Sequence, residues 1–157
     1  MQIRVDDPEI GTEKHCALIL RALPQWFGIE EATLHYIESI RTMPTVLAWI
    51  DDQLAGFLTI QHHSPYSAEI YVMAVYPQFH RHGVGKVLVH KAEAVLLKQG
   101  IRFFQVKTLS SKHADPNYAR TRQFYDSLHF VPLEEFDDLW GASNPCLMMI
   151  KYLEAVQ

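Results

Sequence analysis

The segment from Ala68 to Gln99 constrains this chain most. An extended run ending Val75-Tyr76-Pro77 leads into His80-Arg81-His82-Gly83-Val84-Gly85-Lys86 and then into a long amphipathic pattern. Pro77 stops the strand, because proline cannot donate to a sheet ladder. From Gly83 to Gln99 the residues Val84, Val87, Leu88, Ala92, Val95 and Leu96 recur at helical spacing, and Gly100 provides the stop. A strand that turns so soon into a helix start calls for a mixed α/β arrangement. The start of that helix also suits an anion, since its first backbone N–H groups are free and the dipole is positive there. Gly83 and Gly85 let a phosphate approach the backbone, Arg81 and Lys86 add charge, and His80 and His82 add hydrogen-bond donors. The spacing matches neither the P-loop nor the dinucleotide fingerprint, which needs a further glycine.

Around this segment the pattern predicts a strand at 2–5, a helix from Thr12 to Pro24 and a second helix over 30–42. The second helix has Ile29, Thr33, Ile37 and Ile40 on its apolar face. Pro24-Gln25-Trp26-Phe27-Gly28 forms an aromatic loop between them. Thr45–Ile50 and Leu54–His62 read as a hairpin turning at Asp51-Asp52-Gln53, and Ala68–Tyr76 as the next strand. A strand at 102–108, a helix at 117–128 and strands near 130–137 and 146–153 complete the chain. The expected fold is a single α/β (mixed α+β) domain over 1–157, with a mostly antiparallel central sheet flanked by helices.

Size and charge narrow the functional classes. A chain of 157 residues with 48% hydrophobic residues can build one core without disulfides or a structural metal. A net charge of −4 lacks the basic footprint of a nucleic-acid binder. Cys16 and Cys146 are far apart and outside any CxxC pair, as expected of free thiols in a reducing compartment. His62-His63 and His80-Arg81-His82 lack zinc-ligand spacing, so no metal is expected. Asp6, Asp7 and Glu9 are unlike a secretory leader, and no apolar run is long enough for a bilayer. The expectation is a cytoplasmic protein that engages neither nucleic acid nor membrane.

Two segments, in order, carry a resemblance. The phosphate turn resembles the signature [Q/R]-x-x-G-x-[G/A] after a V-x-P strand end, with Val75, Pro77, Gly83 and Gly85 in register and His80 at the Q/R position. Tyr118-Ala-Arg-Thr-Arg-Gln-Phe-Tyr-Asp-Ser-Leu-His-Phe130 resembles Y-x-x-T-R-x-F-Y-x-x-x-G-F, with His129 where glycine is usual. Both belong to the GNAT superfamily of N-acetyltransferases. The resemblance, with the order of elements, spans about Thr45 to Leu153.

It implies direct transfer of acetyl from acetyl-CoA to an amine. The cofactor side would comprise Met73, Ala74, Val75, His80, Arg81, His82, Gly83, Val84, Gly85, Lys86, Tyr118, Arg122 and Tyr125. The Met73 amide would face the thioester oxygen, Val75 would pair with the pantetheine arm, and Tyr125 would serve the leaving thiolate. An alkylamine, with a reference pKa near 10.4, is mostly protonated at neutral pH and needs a base or a tuned environment. Glu69 in Ala68-Glu69-Ile70 is the candidate base, and the period of two puts Glu69, Tyr71, Met73 and Val75 on one strand face. Trp26, Phe27, His62 and His63 are candidate substrate-binding residues, with Asp137, Asp138 and Trp140 as further candidates for a cationic amine. The expected partner is a small-molecule amine, with a homodimer as the candidate assembly. The alternatives are a protein or peptide N-acetyltransferase and a noncatalytic acyl-CoA-binding regulator.

Overall fold

The computed structural model describes residues 2–154. The elements run β1 (Ile3–Val5), α1 (Glu13–Arg21), α2 (Glu30–Ile40), β2 (Thr45–Ile50), β3 (Gln53–His62), β4 (Ser67–Val75), α3 (Val84–Lys98), β5 (Phe103–Leu109), α4 (Pro116–Ser127), β6 (Val131–Phe136) and β7 (Cys146–Tyr152). The sheet order is β1-β2-β3-β4-β5-β7-β6. Neighbouring strands pair antiparallel except β4 and β5, which are parallel and joined through α3. This is the mixed, mostly antiparallel sheet expected from the sequence.

Each face of the sheet buries its own core. On one side α3 and α4 cover Val46, Leu58, Ile70, Phe104, Val106 and Met149, with Val84, Leu88, Ala92 and Leu96 supplied by α3. On the other, α1 and α2 bring Cys16, Ile19, Leu20 and Ile40 onto Leu47, Phe57, Val72 and Ala74. Ile29 does not join that core. It sits at the extended N-cap of α2 and is 68% exposed, while Thr33 is buried with its hydroxyl bonded to the Phe27 and Ile29 carbonyls.

Two local features of β4 position everything that follows. Its pairing with β5 covers only Ser67–Ile70 against Phe103–Val106. Beyond Ile70, β4 continues along β3 to Val75 while β5 continues along β7 to Leu109. A gap therefore opens in the middle of the sheet. The register of β4 on β3 also slips between Thr59↔Val72 and Ile60↔Ile70, leaving Tyr71 as a bulge.

Candidate active site

The bulge rearranges the faces that a strict alternation predicts. Ala68 and Ile70 face the α3 and α4 core, as do Met73 and Val75 beyond the bulge. Glu69 and Tyr71 point to the opposite side, where Tyr71 packs with the α1 and α2 core. The four residues expected on one face are thus split in two pairs, because one extra residue inverts the alternation after it. Met73 and Val75 border the gap on one side of the sheet, and Glu69 looks out on the other.

At the far end of the gap the chain makes the turn that the sequence marks as a candidate phosphate site. A short 3-10 turn at Pro77–Phe79 is followed by Arg81 at φ +65 and Gly83 at φ +82, and α3 begins at Val84. Gly83 is the left-handed N-cap of α3, and no atom lies within 4 Å of where a β-carbon would stand, so its outer side is open. A β-carbon on Gly85 would meet Phe124 Cζ at 3.0 Å and Met73 Cε at 3.6 Å, so here only glycine leaves the slot between β4 and α4 clear. Arg81, His82 and Lys86 are exposed, and Arg81 and Lys86 enter no ion pair among the described residues. The groups at this turn fit a diphosphate. His80 plays another part, since its Nε2 bonds the Val75 carbonyl at 2.8 Å and ties the turn to the end of β4.

The second motif lies across the gap. Asp115 caps α4 by accepting from the Asn117 amide at 2.8 Å, and Pro116 occupies the first turn. Tyr125 is 5% exposed, wedged between Phe124 and Phe130 at centroid distances of 5.3 and 5.7 Å. Its hydroxyl makes no hydrogen bond among the described residues, and burial pushes the phenol well above its ordinary value. Arg122, expected on the cofactor, donates through Nη1 to the Leu109 carbonyl at 2.7 Å and fastens α4 to the end of β5. A guanidinium is well suited to such an orphan carbonyl at a strand end.

The loop at 24–28 bridges the two sides of the gap. The Trp26 ring stands edge-on to His80 at 6.1 Å, and the Trp26 carbonyl accepts from the Tyr118 hydroxyl at 3.3 Å. Phe27, Tyr36 and Tyr71 continue the aromatic wall, with centroid spacings of 5.9 and 5.5 Å. Burial pushes the Tyr36 phenol up to about 12, with Tyr71, Tyr118 and Glu69 adding to the effect. These four groups lie near one another and, with the Tyr36–Tyr71 contact on the α1 and α2 side of the sheet, outline a candidate acceptor chamber.

Glu69, 5% exposed, is the charged floor of this chamber. It bonds His63 Nε2 at 2.6 Å, Gln105 Nε2 at 3.2 Å and Lys107 Nζ at 3.1 Å. His62 is directed elsewhere. Paired with Ala68 at the end of β3, it faces α3 and meets Gln99 at 2.9 Å. Asp137, after β6, shares Lys112 with Glu135 in an exposed cluster away from Glu69. Sequence reading missed Lys107, Gln105 and Tyr36. The first two reach Glu69 only because β5 pairs with β4 in register, Glu69 opposite Gln105.

Three layers, a sheet that parts at β4 and β5, and a glycine turn beside the parting define the acyl-CoA N-acyltransferase class of fold. Residues 14–130 match the acetyltransferase (GNAT) family, and the chain belongs to it. An uncharacterized N-acetyltransferase of Chlorobaculum tepidum is 35% identical over 83 residues, 53% of this chain and 52% of that one. The match thus spans about half the length of that curated relative. The ribosomal-protein-S18-alanine N-acetyltransferase of Escherichia coli superposes with a TM-score of 0.77 at 15% identity, over 99% of this chain and 97% of that one. An aminoglycoside 6'-N-acetyltransferase complexed with coenzyme A gives 0.74 at 16%, over 100% and 99%. At such identities the structural likeness speaks to the fold.

Proposed function

We propose that this protein is an acetyl-CoA-dependent N-acetyltransferase that transfers acetyl directly to a primary amine of a small molecule. The observation that carries the reading is the parting of β4 from β5 between the cationic glycine turn and the Glu69 chamber. Acetyl-CoA would lay its pyrophosphate on the amides from Arg81 to Gly85, with Lys86 beside it. Its pantetheine arm would follow Ala74 and Val75 through the gap, past Gly85, Phe124 and Tyr118. The thioester would then stand at the Met73 amide as oxyanion donor, with the acceptor entering from the chamber side. Buried Tyr125 is a weak acid there, suited to hydrogen-bond a departing thiolate rather than to give up its proton outright.

The contacts of Trp26 with His80 and with Tyr118 tie the 24–28 loop to both sides of the gap, and this supports a compact amine over an extended peptide. The reading also takes the enzyme to be cytoplasmic. Exposed Phe103, Val131 and Tyr152, on the part of the sheet that neither α1 nor α2 covers, support a homodimer. The test is CoA release with a panel of alkylamines, polyamines, aminoglycosides and peptides. Acetyl-CoA and dephospho-CoA should both raise the melting temperature by mass action, and NADH or ATP should not. Equal shifts with all four, or turnover with peptides alone, would overturn this assignment.

A further inference from the structure

Both oxygens of the Glu69 carboxylate are engaged. Oε1 accepts from His63 Nε2 at 2.6 Å, Gln105 Nε2 at 3.2 Å and Lys107 Nζ at 3.1 Å, and Oε2 accepts from Lys107 Nζ at 3.1 Å. Taking an amine's proton would cancel the charge of Glu69 and leave Lys107 without its counter-charge. Breaking a buried pair in that way is costly. The acceptor ammonium nevertheless has to lose a proton before its nitrogen can attack.

His63 offers a ring lone pair whose protonation leaves the Glu69–Lys107 pair intact. An ionised carboxylate carries no hydrogen, so the 2.6 Å contact places the ring proton on Nε2. In the neutral ring the lone pair then lies on Nδ1, which has no partner among the described residues. The exposures fit a proton route, since the His63 side chain is 35% exposed and that of Glu69 only 6%. The imidazole touches both the buried cluster and water.

We infer that His63 Nδ1 takes the proton of the acceptor amine, and that Glu69, locked by Lys107 and Gln105, is the positioning residue that fixes the ring's tautomer and orientation. This rests on the acetyltransferase reading above. A carboxylate behind an imidazole does the same work in hydrolytic triads, where loss of the correct tautomer is severely damaging. The step balances as follows. One proton passes from the ammonium to Nδ1 and on to water. The freed nitrogen pair forms the C–N bond, the C–S bond breaks with its pair on sulfur, and the second amine proton ends on the thiolate. The ring faces Glu69 from β4, which is paired with Lys107 from β5, and the titratable groups near that pair are Cys146 from β7 and, beside Glu69, Tyr36 from α2.

The experiment has two parts. Steady-state kinetics of H63A and H63Q are compared with an ordinary alkylamine and with 2,2,2-trifluoroethylamine, which is largely neutral at neutral pH. We expect kcat/KM for the alkylamine to fall about 100-fold or more. It should fall far less for the neutral amine, acetyl-CoA affinity should hold, and added imidazole should restore part of the H63A rate. Independently, 15N–1H spectra of histidine-labelled apoprotein, with H63A for assignment, should show neutral His63 as the Nε2–H tautomer, and E69Q should disturb it. Equal losses for the two amines, an unchanged alkylamine rate, or a predominant Nδ1–H tautomer would overturn the inference. If the wild-type protein acetylates no amine at all, the enzyme reading fails first, and the tautomer can still be read.

Discussion

His129 ends α4 in a left-handed conformation, φ +72. The turn there is the six-to-one closure of a helix end, with the Phe130 amide on the Tyr125 carbonyl at 3.1 Å and the His129 amide on Asp126 at 3.0 Å. Histidine enters this region at a steric cost of roughly 1–2 kcal/mol, part of which glycine would return as extra freedom in the unfolded chain. The His129 side chain makes no hydrogen bond or ion pair among the described residues that would offset the cost. His129→Gly should therefore stabilise the fold by up to about 1 kcal/mol and raise the melting temperature by about 2–4 °C. A thermal melt checks it, and a lower melting temperature would mean that the ring makes a favourable contact. This strain was legible in the sequence, because His129 stands where the motif has glycine.

At the scale of elements, α4 matters because it forms one wall of the gap, and Arg122 is what fastens it. The bond from Arg122 to the Leu109 carbonyl, 2.7 Å long, joins α4 to the strand end that no longer pairs with β4. A charged donor to a carbonyl is worth about 1.5–3 kcal/mol. Arg122→Ala should cost that order of stability, and hydrogen exchange should show faster opening of α4 while β2 and β3 keep their protection. Uniform exchange across all elements would refute a local role. The order and type of these elements could be read from periodicity and from Pro77, Gly83 and Gly100, and the bounds of β2 agree with the sequence reading. The Tyr71 bulge could not, because nothing local marks where one strand slips on another. That slip separates Glu69 from Met73, while the parallel register with β5 sets Glu69 opposite Gln105 and beside Lys107. The ion pair was invisible for a related reason, since its partners are 38 residues apart and meet only through the parallel pairing.

For the molecule as a whole, the two cores and the gap have buried a set of groups that ionise at high pH. Burial pushes the Cys16 thiol up from 9.0 to about 12 and Cys146 from 9.0 to about 11. It raises Tyr36 from 10.0 to about 12, and Tyr118 and Tyr125 in the same direction. All five are neutral when protonated, so the folded state holds their protons to higher pH than the unfolded chain does. Stability they confer is fully present below the unfolded values and is lost as pH rises through the folded ones. Each proton of difference is worth about 1.4 kcal/mol per pH unit. The two acids with lowered values, Asp7 and Glu30, are surface partners of Lys91 and Arg21, and exposed pairs contribute little on the acid side. The stability curve should therefore be lopsided. Urea midpoints at constant ionic strength should hold from neutrality to about pH 9, decline as the thiols of the unfolded chain ionise, and fall more steeply beyond about pH 10 as its phenols follow. Cys16→Ala, whatever its cost at neutral pH, should make the decline shallower because one retained proton is gone. A midpoint flat to pH 10.5 would mean that the thiols and phenols ionise without unfolding, and that the two cores admit water far more freely than the burial of Tyr125 and Cys16 implies.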